Sequence, residues 1–585
     1  MKKYFGFVKG SWIFTILSPV FVFLDVMLEM QLPKITAELI DKSIPESVKT
    51  GDLGILRHQI LLMLLYSCGM LLCGFIAARC TAIASLGFTA NMRTALFNKV
   101  QEFSFENLDR FTTSSLITRI INDTSAIQMV FQTTLNFFLR APFTLVFALF
   151  RALAISRELS KVFIFVIPAL ILVLVFIGVL VVPKFKIMLE KTDRFNRVLQ
   201  ENFLGIRVVK SFVREKKENE KFGIANSDLY KSTMSAQKIL MYNMPILMII
   251  LFGCMAYTLW TGSILIYDEA GTVGGMQVGT LTAFTEYIAS VISSLMTITM
   301  IFMTMVMARA SIKRVNEVLN AEPTITDKDA DKDLTVSEGS IEFKNVSFKY
   351  SKDAEKNVLE NISFRINPGE KVGIIGATGS AKSTLVSLIP RLYDVTEGEV
   401  LVGGRNVRDY TFDHLRENVS VVLQNNELFS GTIKENLLWG KPESTDEEIK
   451  EACKAAQADE FILGFEKGYD TQLGQGGVNI SGGQKQRLCI ARALLRKAKI
   501  LIFDDSISAV DTATDSKIRE ALENNYPGMT QLIIAQRINS VKHADKIIIL
   551  DDGKINGMGT HDELMENNEI YREIYISQQE GALAQ

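Results

Sequence analysis

The sequence predicts a multidomain chain: an all-α transmembrane domain of six helices with long intracellular extensions, fused to a soluble α/β domain. Three observations predict it. Of 585 residues, 48% are hydrophobic, too many for an ordinary soluble protein, while 22% are charged, too many for a chain lying wholly in a membrane. Apolar stretches of about 20 residues, enough to cross roughly 30 Å of hydrocarbon as helix, are confined to the N-terminal half. Beyond a polar stretch that follows them, short β-rich runs alternate with helical ones.

The six spans are placed at about 12–32, 59–80, 126–150, 162–183, 241–267 and 276–308. Four contain charge-free stretches long enough to cross; the first carries Asp25 and Glu29, and the third carries Arg140. The positive N-terminus lacks a small-residue cleavage site after its apolar run, so this run reads as a retained first span. An even number of spans puts both ends of the bundle on one side. Lys184 to Met241 holds 13 basic residues, and Arg309, Lys313 and Arg314 follow the last span, whereas Asp268 to Gly275 holds none. Both ends are therefore expected in the cytoplasm. Arg151, Arg157 and Lys161 fall outside in this scheme, against the rule.

The segments 81–125 and 184–240 are amphipathic and read as helical extensions into the cytoplasm. Their apolar turns, Leu116 to Ile121 and Phe203 to Val209, are expected at tips that dock on another domain; the alternative is that these helices only pack on each other. The transmembrane domain is assigned to 1–315, an acidic, Pro-containing linker to 316–338 and the soluble domain to 339–585. Strands are expected at 340–343, 370–375, 419–423, 500–503, 531–535 and 546–550. The six cysteines are scattered singly and imply neither disulfides nor zinc. A net charge of −2 with no basic patch gives no reason to expect a nucleic-acid partner.

A group of motifs in the soluble domain carries the chemistry. Strand 371–375 runs into Gly376-Ala377-Thr378-Gly379-Ser380-Ala381-Lys382-Ser383-Thr384 and then an apolar helix. In that context, backbone N–H groups and the helix N-terminus cradle phosphates, Lys382 reaches the β/γ oxygens and Ser383 holds Mg²⁺. Where the pattern expects a second glycine stands Ala381. Its methyl is tolerable in helical backbone and costs about 1 kcal/mol or more at positive φ; binding is expected to survive. Four apolar residues, 500–503, end in Asp504, suited to orient the metal shell. Between these motifs Ser481-Gly482-Gly483-Gln484 opens an apolar helix, a second anion-ready start that must face a nucleotide bound elsewhere, most simply on a second copy of the domain.

With these motifs in this order, the chain resembles an ABC exporter half-transporter of the multidrug type, over nearly its whole length. The resemblance implies ATP with Mg²⁺, a second half-transporter as partner, contact with membrane lipids, and a bacterial cell-membrane location with the ATPase domain cytoplasmic. It implies export of amphipathic drugs or lipid-like compounds, hydrophobic or cationic. By the same resemblance Tyr350 stacks on adenine, Gln424 senses Mg²⁺, Asp511 lies in the loop 508–511 that crosses the dimer, and Ser481 to Gln484 act on the partner's ATP.

Three departures bear on catalysis. The family's glutamate after the metal aspartate is Asp505, one methylene shorter; a displacement of about 1 Å can cost on the order of 10²-fold, so Asp505 should be a weak base. The switch histidine is Gln536, able to donate a hydrogen bond but without charge. The glutamate usual before the signature is Gln475. Ala381, Asp505 and Gln536 belong to the half-site built on this chain's own lysine loop, while the signature is intact. That asymmetry resembles heterodimeric exporters with one degenerate site. The alternatives are a homodimeric lipid or peptide exporter and an ATP-gated regulatory membrane protein. Asp25 and Glu29, spaced i, i+4, and Glu286 at the start of the sixth span are candidates for a substrate cavity, with pairing of Asp25 to Arg140 or an interfacial Glu29 as alternatives.

Overall fold

A computed structural model describes residues 2–268, 276–351, 354–505 and 512–583. The chain divides into two compact units, one of Met1–Gln101 with Thr113–Asn320, the other of Glu102–Thr112 with Ala321–Gln585.

In the first unit, six helical stretches are long and apolar enough to span a membrane: Trp12–Thr50, Gly54–Gln101, Thr113–Ile155, Arg157–Leu204, Glu215–Asp268 and Val278–Asn320. Five of them contain an expected span and extend beyond it; the sixth begins at Val278, two residues inside the expected 276–308, and runs on past its end. At 1.5 Å per residue, the 48-residue second helix is about 72 Å long, more than twice the hydrocarbon thickness. Its large apolar side chains, among them Leu61, Leu64, Leu71 and Phe75, remain exposed, as a lipid-facing surface requires. The last helix continues to Asn320, five residues into the segment expected to be linker. Its start is fixed by Asp41, whose carboxylate accepts from the backbone N–H groups of Gly279 (2.5 Å) and Thr280 (2.7 Å) and from the Thr280 hydroxyl (2.8 Å). A Cβ at Gly279 would meet that carboxylate at 2.8 Å, so the approach needs glycine.

Of the alternatives left open for Asp25, the pairing with Arg140 holds, and the place of the first tip changes. Asp25 and Glu29 are not free carboxylates: Arg140 donates to Asp25 Oδ2 at 2.6 Å and to Glu29 Oε2 at 2.8 Å. Taking charge into hydrocarbon is costly enough that the i, i+4 pair and the arginine two helices away neutralise one another. Glu286 is exposed on the last helix. The first intracellular tip is not Leu116 to Ile121 but the helix Phe105–Arg110, begun by a capping box between Ser104 and Asn107. Residues 116–121 lie on the return path, where Leu116 is buried, Arg119 pairs with Glu317 at 3.2 Å and Asp123 with Arg314 at 2.5 Å. Leu116 packs within the bundle and Ile120 is half-buried, while Ile117 and Ile121 stay exposed. At the second tip, a short helix, Ile206–Ser211, does occupy the expected place.

The second unit holds strands β1 (Ile341–Phe348), β2 (Leu359–Ile366), β3 (Lys371–Ile375), β4 (Glu397–Val402), β5 (Arg405–Asn406), β6 (Val419–Val422), β7 (Gly431–Thr432), β8 (Gln472–Leu473), β9 (Ile500–Asp504), β10 (Thr530–Ile534), β11 (Lys546–Asp551) and β12 (Lys554–Gly559). An antiparallel sheet has the order β2-β1-β4-β5, and the main sheet the order β12-β11-β3-β10-β9-β6, parallel except at β12. Near-continuous apolar strands such as Ile500–Phe503 and Ile547–Leu550 are buried on both faces, as parallel sheets demand. One core cluster, around Phe503 and Leu494, lies under the helical part; another, around Ile374, Ile502 and Phe343, joins the two sheets.

Candidate functional site

Register brings the phosphate loop and the two altered residues together. Ile534 of β10 lies opposite both Ile374 of β3 and Asp504 of β9, so the carboxyl ends of three adjacent strands line up. From those ends emerge the loop 376–381, the pair Asp504–Asp505 and, one residue past Ala535, Gln536. The carboxyl edge of a parallel sheet is where such folds bind ligands.

The loop is tightly built. A Cβ at Gly376 would fall 2.1 Å from the Leu550 carbonyl oxygen, so only glycine fits; Gly379 has φ +88 with open space around it. Thr378 and Ser380 complete the loop, Ser380 being buried. Lys382 donates to the carbonyls of Gly376 (2.7 Å) and Ala377 (2.8 Å). Burial pulls its pKa below the usual lysine range, against the opposing pull of Asp505 and Asp504. Ala381 sits in the left-handed region, φ 68 and ψ 24, immediately before the helix Lys382–Ser387. The positive-φ case therefore holds, and its methyl costs about 1 kcal/mol relative to glycine.

Ser383 donates to Asp504 Oδ1 at 2.6 Å. Burial pushes the Asp504 carboxyl up, the serine hydrogen bond opposing it. A hydroxyl and a carboxylate side by side at a phosphate loop are the hard oxygen donors that Mg²⁺ takes, together with waters and phosphate oxygens. Asp505, at φ 49, accepts a 2.5 Å hydrogen bond from Gln536 Nε2. Gln424 is exposed just past the end of β6. Tyr350 follows β1, its ring about half exposed and its hydroxyl 2.8 Å from Thr384 Oγ1. Asp511 and the loop 508–511 lie outside the described residues.

Ser481 to Gln484 start a separate helix, Gly482–Leu495, that packs on β6 and on the helices Ile433–Leu438 and Asp446–Ala455. Here Ser481 Oγ accepts from the Gln484 N–H at 3.3 Å, and Gln484 Oε1 accepts from the Ser481 N–H at 2.9 Å, a reciprocal cap.

Sequence reasoning missed Gln578. From the C-terminal helix Glu569–Leu583, its amide brackets the segment carrying Gln536, donating to the Gln536 carbonyl (2.8 Å) and accepting from the Ile538 N–H (2.9 Å). It also missed Tyr393, which donates to Asp109 at 2.7 Å. Neither has a local signature; the S-x-x-N spacing of Ser104 and Asn107, close to a capping box, is a signal the sequence analysis did not use for the helix that carries Asp109.

Six membrane-spanning helices joined to a unit with a phosphate loop at its sheet edge define an ATP-driven membrane transporter. Residues 15–296 match the ABC transporter transmembrane region and residues 359–508 the ABC transporter domain. The chain is 37% identical to an uncharacterized ABC transporter ATP-binding protein of Bacillus subtilis, over 99% of this chain and 98% of that one. It is 33% identical to an ATP-dependent lipid A-core flippase of Desulfotalea psychrophila, over 83% of this chain and 84% of that one. A bacterial Atm1-family ABC exporter, solved with ATP bound, shares the fold with a TM-score of 0.83 at 23% identity, covering 98% of this chain and 99% of that one. The chain belongs to the ABC transporter family. It is an ATP-driven exporter, a multi-pass membrane protein whose ATPase unit is cytoplasmic.

Proposed function

We propose that the chain is one subunit of a two-chain exporter for amphipathic drugs or lipid-like compounds, that its own lysine loop holds ATP with Mg²⁺ and turns it over slowly, and that its signature serves the competent site of a different partner chain. The Asp505–Gln536 hydrogen bond carries this reading. The two residues standing where a water-polarising glutamate and a charged switch histidine are expected engage each other, which leaves the site a short carboxylate already committed to an amide.

In this site Lys382 binds the β/γ-phosphate oxygens, the loop N–H groups and helix start orient the chain of phosphates, and Tyr350 stacks on the base. Ser383, Asp504 and Gln424 would hold Mg²⁺, which neutralises phosphate charge when bound. Asp505 holds the attacking water poorly, and Gln536 donates to the γ-phosphate without adding positive charge. A need for a second chain is supported by the second intracellular tip, where Phe203, Leu204, Val208 and Phe212 are 60–80% exposed. An apolar patch of that kind marks a docking surface. The curated flippase supports an amphipathic, lipid-like substrate. A cationic substrate would have to displace Arg140 before it reached Asp25 and Glu29.

The test is nucleotide trapping in the complex of this chain with a second half-transporter that carries glutamate and histidine at the equivalents of Asp505 and Gln536. Unhydrolysed ATP should be recovered from this chain's loop while ADP forms at the other. Full-rate hydrolysis by this chain purified alone would replace the reading with a homodimeric exporter.

A further inference from the structure

The helix Glu569–Leu583 is seated on the core of the ATPase unit by one of its faces. Asn568 caps it, its side-chain oxygen accepting from the Tyr571 N–H at 2.9 Å. Tyr571 is fully buried in the cluster that also holds Phe503 and Ile538, and its hydroxyl lies 2.8 Å from His561 Nδ1. Ile574 and Tyr575 pack against the same cluster. Tyr571, Ile574, Tyr575 and Gln578 are spaced i, i+3, i+4 and i+7, so they share that face, and the packing of the first three fixes where the fourth stands.

From that face Gln578 reaches the segment that leaves β10 with Gln536. Its Nε2 donates to the Gln536 carbonyl at 2.8 Å, and its Oε1 accepts from the Ile538 N–H at 2.9 Å. A carbonyl can only accept and a backbone N–H can only donate, so these two partners fix the orientation of the Gln578 amide, and only an amide serves both. Ile538 is itself buried, at 1% exposure. The backbone on both sides of Arg537 is thereby held, while Gln536 is exposed and its side chain can turn about its own torsions. It donates to Asp505 Oδ2. To reach a γ-phosphate it has to leave that carboxylate and swing, which it can do without moving the chain that carries it.

We propose that Gln578 is a positioning residue for this chain's own nucleotide: it holds the backbone at Gln536 and Ile538 so that the Gln536 side chain, released from Asp505, meets the γ-phosphate. The C-terminal helix thereby becomes part of the ATP site without touching ATP. The contact exists only for a nucleotide that has a γ-phosphate, so Gln578 raises the preference for ATP over ADP. Affinity for what the two nucleotides share, the base and the inner phosphates, is left to Tyr350 and the loop 376–384. Such a preference is what a loop that retains ATP needs. The inference rests on the reading of Gln536 as a donor to the γ-phosphate.

The experiment is equilibrium binding of the labelled β,γ-imido analogue of ATP and of labelled ADP, each with Mg²⁺, to the full chain assembled with a partner whose own phosphate loop has been disabled. Gln578→Met, which keeps the length of the side chain without its hydrogen bonds, should weaken the ATP analogue about 10-fold, the low end for a hydrogen bond to a charged group, and leave ADP unchanged. Gln536→Ala should show the same split, and the two substitutions together should lose no more than either alone. Gln578→Glu still accepts from Ile538 but cannot donate to the Gln536 carbonyl; it should give the split too, and decides the matter if the methionine variant does not assemble. Equal losses for both nucleotides in the Gln578 variants, or additive losses in the double variant, would overturn the positioning role, since plain structural support would weaken the whole site or act independently of Gln536. If Gln536→Ala shows the split and neither Gln578 variant does, the inference falls and the reading of Gln536 stands. If Gln536→Ala leaves the ratio of the two affinities unchanged, both fall.

Discussion

The second unit presents two helix starts suited to anions, and they are built in opposite ways. At Ser481 the cap closes on itself, serine and glutamine satisfying each other's N–H groups with ordinary backbone throughout. At Lys382 the helix begins on an alanine held at φ 68, beside an aspartate at φ 49 whose carboxylate is taken by Gln536. Left-handed non-glycine backbone stands at one start and not at the other; the departures Ala381, Asp505 and Gln536 gather at the first, and Gln475 precedes the second. On the proposed reading, Ala381, Asp505 and Gln536 would act on this chain's own nucleotide, while Ser481 to Gln484, which would act on another chain's, keep the expected residues.

The sharpest way to break that contrast is Ser481→Arg. Removing the intact start should lower ATP hydrolysis by the assembled transporter by about 10²-fold or more, the scale of losing a positioned transition-state donor, with ATP binding at Lys382 unchanged. A steady-state ATPase assay beside a trapping assay reads both. Lys382→Ala comes next: a charge-assisted contact worth roughly 1.5–3 kcal/mol corresponds to about 10- to 100-fold in ATP affinity at this chain's loop, measured by labelled-nucleotide binding to the complex.

Asp505→Asn should change turnover by only a small factor, since its carboxylate is already bound to Gln536, whereas neutralising the partner chain's glutamate should cost about 10²-fold or more. Equal, severe losses would mean that Asp505 is a working base. Ala381→Gly should relieve the left-handed alanine and stabilise the ATPase unit by about 1 kcal/mol, seen as a higher melting midpoint of the full chain. The smallest effect concerns support for the signature helix. Glu448, in the helix Asp446–Ala455 packed against it, is held down to about 2 from 4.5 by the Thr445 N–H and by Lys497 and Lys441. Its folded pKa is depressed, so its contribution is complete above about pH 4.5 and lost as pH falls to about 2. Glu448→Gln should flatten the acid-unfolding profile in that window, followed by circular dichroism.

The main sheet was legible because buried parallel strands are written as unbroken apolar runs: β3, β6, β9, β10 and β11 all lie where the sequence puts them. The loop, Asp504 and the signature carry local patterns and were equally legible. The antiparallel sheet was read only at β1, because β2 (LENISFRI) mixes polar residues into a strand with one open face. Leu116 to Ile121 misled for a different reason: a short apolar run does not say where a long helical hairpin turns, and here only Leu116 of the run is buried. Tyr393, Asp109 and Gln578 were illegible because each acts through a partner tens to hundreds of residues away. Single tyrosines, aspartates and glutamines have no spacing to betray them.

The division of the chain has a practical consequence for anyone who would express the ATPase as a separate protein. A cut at Ala321 looks natural, since the last membrane helix ends at Asn320. It nevertheless leaves behind Glu102–Thr112, a piece of the ATPase's own fold supplied from early in the chain. Such a fragment would emerge with the Tyr393 hydroxyl and the Phe105 contact face bare, and with Thr324 and Glu322 deprived of Ser104 and Asn107. Excision is better designed with that eleven-residue hairpin tip returned as a tethered peptide ahead of Ala321, so that the soluble fragment carries its full complement of secondary structure.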